Sequence, residues 1–151
     1  MNRLKGHLRL FAVVTALIVF AAAGAPAVFA DTTSLDFSSG DIVIDADGDY
    51  SITGSTTDHT ITVSAGVTAT ITLEDVDIDA SATEDACAFS IESGADITLI
   101  LTGENSLKSG ENCAGLQVPD GASLTIEGDG SLTAEGGYNG AGIGGYAGGK
   151  G

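Results

Sequence analysis

The chain has 151 residues and carries 21 Asp and Glu against only five Lys and Arg. All the acidic residues follow residue 30, where only Lys108 and Lys150 supply positive charge, so residues 31–151 have a formal charge of 2 − 21 = −19. A surface this acidic repels nucleic acid and anionic lipid and excludes a nucleic-acid-binding role. A neutral glycan meets no such barrier, whereas an anionic polysaccharide would need bridging metal ions.

Residues 1–30 have the features of a secretory signal peptide. Three basic residues lie within the first nine, an apolar run covers residues 10–23, and small residues lead to Val28 and Ala30 before Asp31. This order is typical of a cleaved export signal, and the apolar run is short for a membrane span. We predict cleavage after Ala30, no membrane insertion of the mature chain, and a secreted, cell-surface location. A single membrane anchor is the alternative.

Residues 31–57 are predicted to form N-terminal capping strands, and they contain the first of two acidic trios. In each trio the Asp residues are two apart, which places their side chains on one face of a strand. Stacked carboxylates of this kind could bind Ca²⁺, although no cofactor is required by the pattern. A solvated outer face is the alternative. The trios are Asp45, Asp47 and Asp49 in DADGD, and Asp75, Asp77 and Asp79 in EDVDID.

Residues 58–139 repeat with a period near 27. Three segments superpose, starting at His59, Cys87 and Ala114: HTITVSAGVTATITL, CAFSIESGADITLIL and AGLQVPDGASLTIEG. One aligned column of apolar residues is spaced by 28 and then 27 positions and contains Ile61, Phe89 and Leu116. A fixed period in this range predicts stacked repeats that bury their apolar faces against one another.

Apolar residues alternate within each repeat, which predicts strands rather than helices. In TATITL, for example, Ala69, Ile71 and Leu73 share one face. Corner segments separate three short strands per repeat: SAG, ESG and PDG at one corner, and SGEN and GGYN at another. We predict an all-β fold, a parallel β-helix (solenoid) with rungs of about 27 residues. An antiparallel sandwich also fits short strands, but gives no reason for the constant spacing.

Cys87 and Cys113 are 26 residues apart, one fewer than the repeat, which places them on adjacent rungs. In an exported protein this favours a disulfide. Strict register would put Cys113 opposite Ala86, and a one-residue bulge at Gly115 would bring the two segments into line. Two buried free thiols are the alternative.

Thr70, Thr98 and Thr125 form an aligned column on the predicted outer face. A flat threonine array could order water, as an ice-binding surface does. The neighbouring column contains Ile100 and Glu127 and breaks such an array. Threonine is common on exposed strands in any case, so we interpret this column as ordinary sheet surface.

No catalytic arrangement is visible, and we predict that the chain is not an enzyme. Residues 31–151 contain no Arg to act as the base of a polysaccharide lyase. Hydrolysis needs a pair of carboxylates with separate roles, and the acidic residues offer no distinct pair. His59 has no Ser or Cys nucleophile arranged beside it. Sugar binding by stacking uses exposed aromatic rings, for which Tyr50 and Tyr138 are the candidates, together with Tyr146 in the glycine-rich end.

Residues 140–151 start a further rung with GAGIGG but supply no strand to close it. We therefore expect the fold to be truncated at its C-terminus, as in a fragment of a longer protein.

The segments ACAFSI, SLKSGENCAGLQ, SLTIEGDGSLTAEGG and GAGIGG resemble a known family. They are similar to secreted β-helical surface proteins of Gram-positive bacteria called carbohydrate-binding-domain-containing proteins, over roughly residues 41–145. The resemblance implies a right-handed parallel β-helix that is exported and often forms one module of a multidomain surface protein. It also implies a link to plant-type polysaccharides and Ca²⁺, and it supplies no catalytic motif.

Three functions are therefore open. The first is a non-catalytic extracellular module that binds carbohydrate or mediates surface adhesion, with calcium as an aid. The second is a structural stalk that spaces other modules from the cell. The third is a polysaccharide lyase or hydrolase, which the scarcity of Lys and Arg disfavours. The sequence makes no prediction about oligomeric state.

Overall fold

A computed structural model describes residues 31–145; the predicted signal peptide and residues 146–151, with Tyr146, lie outside the described residues. The regular secondary structure of the described chain is β-strand, apart from one short 3₁₀ helix at Phe37–Ser39. Its strands are β1 Thr33–Asp36, β2 Ile42–Ile44, β3 Gly48–Thr56, β4 Ile61–Val63, β5 Thr68–Asp79, β6 Phe89–Ile91, β7 Asp96–Thr102, β8 Glu104–Lys108, β9 Leu116–Gln117, β10 Ser123–Gly128, β11 Ser131–Glu135 and β12 Ile143–Gly144.

The strands form two parallel sheets. The seven-stranded sheet has the order β1-β3-β5-β7-β10, with β8 pairing β5 and β11 pairing β8. The five-stranded sheet has the order β12-β9-β6-β4-β2. Because parallel neighbours cannot be joined by a tight hairpin, the chain passes through the other sheet between two paired strands, for example from β5 through β6 to β7.

The register of pairing follows the spacing seen in the sequence. In the five-stranded sheet Ile61 pairs with Phe89, Phe89 with Leu116, and Leu116 with Ile143. In the seven-stranded sheet Thr70 pairs with Thr98, and Thr98 with Thr125. Residues 27 or 28 positions apart therefore lie side by side on neighbouring strands.

The all-β class is confirmed, but the predicted right-handed parallel β-helix with three separate strands per rung is wrong. The structure has two parallel sheets, of seven and five strands. TATITL and the segment with Val76 and Ile78, predicted as separate strands, are one continuous strand, β5. It pairs with β7 along its first part and with β8 along its last. Asp75, with φ of +52°, bends the chain inside β5 without ending it. The alternative antiparallel sandwich is also wrong, because the pairs described are parallel.

Alternating side chains of both sheets meet in one hydrophobic cluster. In the five-stranded sheet Ile61, Val63 and Phe89 are completely buried, and in the seven-stranded sheet Ile71 and Leu73 are too. Burial of such side chains is the main stabilising contribution to the fold. Two polar residues, Asn105 and Ser109, are also buried in this region.

Between residues 31 and 145, no helix has the length and apolar character needed to cross a membrane.

Candidate functional site

The first acidic trio does not share one strand face. Asp45 and Asp47 lie in the loop between β2 and β3, and only Asp49 is in a strand. The Oδ1 atom of Asp47 accepts a hydrogen bond from the backbone N–H of Thr68 at 2.8 Å. This hydrogen bond therefore connects the loop to the start of β5.

The second trio lies within β5, where its members have different partners. Asp75 Oδ1 accepts from the backbone N–H of Glu104 at 3.0 Å. Asp79 accepts from the hydroxyl and the backbone N–H of Ser81, and its Oδ2 lies 3.9 Å from Nζ of Lys108. The Ser81 hydroxyl, followed by the Ser81 backbone N–H, lowers the pKa of Asp79 below its ordinary value. Asp77 is exposed.

Neither trio forms a cluster suited to a metal ion. Across residues 31–145 no group of three His, Cys, Asp or Glu side chains lies close enough to hold one. Calcium binding by these carboxylates stays a prediction.

Cys87 and Cys113 form a disulfide, with their Cα atoms 5.1 Å apart. The predicted bulge at Gly115 is absent: Asn112 lies beside Asp85 and Leu116 pairs with Phe89, so the offset is 27 on both sides of the cysteines. Both cysteines lie outside the strands. The strict alternation of strand faces therefore does not apply to them, and no extra residue is needed.

The disulfide borders a column of three similar turns, which we name the turn stack: residues 83–86, 110–113 and 137–140. Each turn is closed by a backbone hydrogen bond from its fourth residue to its first, of 3.4, 3.4 and 2.8 Å in chain order. In each, the third residue has a positive φ: 58° at Asp85, 63° at Asn112 and 67° at Asn139. Asp and Asn tolerate this conformation better than other non-glycine residues.

Backbone hydrogen bonds hold the turns in register. The N–H of Asp85 donates to the carbonyl of Glu111 at 3.3 Å, and the N–H of Asn112 donates to the carbonyl of Tyr138 at 2.8 Å. The side chains follow the same pattern: Nδ2 of Asn112 donates to Oδ1 of Asp85 at 3.1 Å, and Nδ2 of Asn139 donates to Oδ1 of Asn112 at 3.4 Å. The turn stack thus has an ordered row of polar side chains on its surface.

Tyr138 occupies the second position of the third turn and is 76% exposed. It is the only exposed aromatic side chain within residues 31–145, because Phe37 and Phe89 are buried and Tyr50 is half-buried. The ring of Tyr50 packs against the core, and its hydroxyl donates to the carbonyl of Ala46 at 2.8 Å. Of the two tyrosines predicted to meet a sugar, Tyr138 is the more exposed.

The outer face of the seven-stranded sheet is the second polar surface. It carries the row Asp49, Thr70, Thr98 and Thr125 on adjacent strands. A shallow cleft on this face is lined by Gly48, Asp49, Thr68, Ala69, Thr70, Asp96 and Thr98. No aromatic ring lines that cleft, so it has no surface on which a sugar ring could stack.

A comparison with known protein families identifies the family of the chain. Residues 38–146 match the model described as carbohydrate-binding domain-containing protein, which is well over half of the chain. The chain belongs to this family. No curated protein and no solved structure matches it significantly. The carbohydrate-binding part of the resemblance seen in the sequence is therefore confirmed.

A carbohydrate-binding domain needs groups that suit sugar chemistry, and the turn stack provides them. Aromatic rings pack on the apolar faces of sugars, while amides both donate to and accept from hydroxyls. The turn stack combines one exposed ring with the amides of Asn112 and Asn139 and the carboxylates of Glu84, Asp85 and Glu111.

Sequence reasoning found the SGEN and GGYN corners and Tyr138, but it missed the row of Asp85, Asn112 and Asn139. The signal was present, because these three residues are separated by 27 positions each. These residues lie in corner segments, where the alternation of apolar residues that predicts the strands gives no signal. His59, which has no nucleophile arranged beside it in the sequence, lies at the surface. Its Nδ1 atom is 3.6 Å from Oδ1 of Asp41.

Proposed function

We propose that this chain is a non-catalytic module that binds neutral carbohydrate through the third turn of the turn stack. The observation that carries the proposal is the exposed ring of Tyr138, set beside an ordered amide row in a member of a carbohydrate-binding family. Membership of this family suggests binding rather than turnover.

The ring of Tyr138 stacks on the apolar face of one sugar. The neighbouring amide of Asn139 then accepts from or donates to a sugar hydroxyl, because its carbonyl and amino groups serve both roles. The Asn139 amino group is oriented by its bond to Asn112. Stacking gives affinity for a ring, and the amide selects how that ring is oriented.

We further place the module outside the cell, on the cell surface, where it mediates adhesion to glycan. Two features support this location: the predicted signal peptide of residues 1–30 and the Cys87–Cys113 disulfide, a bond that persists in oxidising compartments. The proposal includes assistance by calcium bound to the acidic trios. It is tested by comparing thermal unfolding in chelator and in millimolar Ca²⁺, since a ligand of the native state raises the melting temperature.

The decisive experiment measures binding of the purified protein to a panel of neutral polysaccharides, with Tyr138→Ala and Tyr138→Phe as variants. We expect Tyr138→Ala to weaken binding by about tenfold, since stacking by one aromatic ring contributes roughly 1 kcal/mol or more. Tyr138→Phe keeps the ring and should retain most of the affinity. Tyr50→Phe is the control away from the turn stack, because it removes only the hydroxyl that bonds Ala46.

Three results would overturn the proposal. Equal binding by the wild type and Tyr138→Ala would remove Tyr138 from the site. Release of shortened sugars would show catalysis. Absence of binding to every glycan would favour the alternative, a structural stalk.

A further inference from the structure

The last two strands of the seven-stranded sheet, β10 and β11, have a neighbour on one side only among the described residues. β10 lies at the end of the strand order, and β11 pairs with β8 alone. We name the outer sides of these two strands the open edge. Backbone N–H and C=O groups at such an edge can pair with a further strand. We propose that the open edge docks an extended, basic segment of a partner protein, which adds a strand to the sheet.

Apolar side chains at the open edge lack the cover that their counterparts on inner strands have. Ile126 is 41% exposed, whereas Leu99, the residue beside it on β7, is completely buried. Leu124 is only half-buried. The edge strand β2 of the other sheet differs, because its Ile42 and Ile44 are buried. A docked strand with apolar residues at alternate positions would cover Leu124 and Ile126, because alternate side chains of a strand face the same side.

The charge of the partner follows from one column of side chains. Asp79 on β5, Lys108 on β8 and Glu135 on β11 lie side by side on neighbouring strands. Their charges alternate, and Nζ of Lys108 lies 3.9 Å from Oδ2 of Asp79. Glu135 is exposed at the open edge, and Glu127 of β10 is a second exposed acid there. Opposite charges on adjacent strands attract and like charges repel, so a Lys or Arg beside each glutamate would stabilise a docked strand.

A second copy of this chain is a poor partner for the open edge. Lys108 is the one Lys or Arg within residues 31–145, and it lies in β8, between β5 and β11. The described edge strands β1, β2, β10, β11 and β12 contain no basic residue. Two copies paired edge to edge would bring acids together without a cation between them, which disfavours that pairing. The open edge therefore favours a different, basic chain.

The fold itself contains an example of the pairing that we propose. β5 is one strand of 12 residues that pairs with β7 along its first part and with β8 along its last. β10 and β11 pair with the same two strands from the other side. A partner strand of similar length can therefore pair with both β10 and β11. In this alignment the positions beside Glu127 and Glu135 correspond to Thr72 and Asp79 of β5.

The probe is a synthetic peptide copied from β5 with the changes Thr72→Lys, Asp79→Lys, Glu74→Thr and Asp77→Thr. One control peptide has Glu in place of both Lys residues. A second keeps the Lys residues and adds Leu73→Pro, which disrupts strand pairing. Binding to the purified protein is measured by calorimetry, and hydrogen exchange locates the peptide. We expect the Lys peptide to bind at least about tenfold more tightly than either control, and to slow amide exchange in β10 and β11.

Two variants of the protein test the charge directly. Glu135→Gln removes the charge and keeps the shape of the side chain. It should weaken binding of the Lys peptide by about twofold to fivefold, and added salt should weaken binding to the wild type because it screens the attraction. Glu74→Gln is the matched control. Glu74 is an exposed acid of β5, two strands from β10, so the same charge change there should leave the affinity nearly unchanged.

Several outcomes would overturn the proposal. Equal binding of the Lys and Pro peptides would show only general attraction to an acidic surface, and equal binding of the Lys and Glu peptides would remove the role of charge. Equal affinities of Glu135→Gln and Glu74→Gln, protection outside β10 and β11, or no binding of the Lys peptide at about 1 mM would each contradict it. A mass that rises with protein concentration, with protection of β10 in the absence of peptide, would make a second copy the partner instead.

Discussion

Asn105 shows how one polar residue can hold several strands of this fold in place. Its side chain lies in β8 and is only 3% exposed. Oδ1 accepts from the backbone N–H of Val76 at 3.0 Å, and Nδ2 donates to the carbonyls of Thr102 and Ser131 at 3.1 and 3.2 Å. A single amide therefore joins β5 to the end of β7 and the start of β11. Its loss leaves three backbone groups without their partner.

We predict that Asn105→Ala lowers the free energy of unfolding by about 2–4 kcal/mol, since each buried group left unpaired is costly. Urea denaturation followed by circular dichroism measures this change. Ser123→Ala, at an exposed position in β10, is the control and should change stability by less than about 1 kcal/mol. A change of similar size in both variants would show that Asn105 has no special structural role.

The hydrogen bonds from Ser81 to Asp79 predict a pH dependence. Because they lower the pKa of Asp79 in the folded state, the ionised carboxylate stabilises the fold above the unfolded-state pKa. This contribution is lost as the pH falls through the folded-state pKa. Ser81→Ala should therefore melt below wild type at neutral pH, and the gap should close below about pH 4. A gap that stays constant with pH would contradict this account.

At the scale of elements, the turn stack and the disulfide form one unit. Cys87 follows the first turn directly and Cys113 closes the second, while the third turn is attached through Gly137 and the Cys113 carbonyl. The turn that carries Tyr138 therefore rests on a residue held by the disulfide. Reduction should loosen the first two turns and, through Cys113, the third.

We predict that reduction, or the double change Cys87→Ser and Cys113→Ser, lowers the free energy of unfolding by about 3–4 kcal/mol, as expected for a loop of this size. Glycan affinity should fall along with it, because the row loses its fixed spacing. Thermal unfolding and glycan binding are measured with and without reductant, and the double variant, which has no disulfide, is the control for reductant itself. An unchanged melting temperature in reductant would contradict this prediction.

At the scale of the whole molecule, charge controls which glycans can approach. The formal charge of −19 for residues 31–151 comes from acidic residues distributed from Asp31 to Glu135. Such a field repels anionic polymers and is screened by salt over roughly 10 Å at 0.1 M. Discrimination against anionic ligands is therefore a property of the entire surface and not only of the turn stack.

We predict that an oligogalacturonate binds more weakly than a neutral oligosaccharide of equal length, and that added salt narrows the difference. Affinities measured in chelator between about 10 mM and 1 M NaCl test this, because the screening length shortens about tenfold over that range. The neutral sugar, whose affinity should hardly depend on salt, is the control. Tighter binding of the oligogalacturonate in chelator would contradict the prediction.

The local parts of the fold were predictable from the sequence, and the assembly of its strands was not. Apolar residues two positions apart, such as Ile61 and Val63 or Ile71 and Leu73, predict strands correctly. Successive side chains of a strand point to opposite faces, so this pattern depends only on neighbouring residues. The spacing of Cys87 and Cys113, close to one repeat, also predicts their disulfide correctly, because residues about one repeat apart lie in neighbouring turns. The separation of TATITL from the strand predicted around Val76 and Ile78 is wrong, since β5 continues through Glu74 and Asp75 by pairing with later strands.

The candidate site, too, was predictable from the sequence only in part. The sequence by itself determined that the chain is all-β, that aligned residues recur at 27 or 28 positions, and that its surface is strongly acidic. Only the tertiary structure decided that Tyr50 packs on the core while Tyr138 is exposed, and that Asp85, Asn112 and Asn139 form a hydrogen-bonded row. The physical reason is that exposure and side-chain pairing depend on which turns stack together, and that is set by long-range strand register.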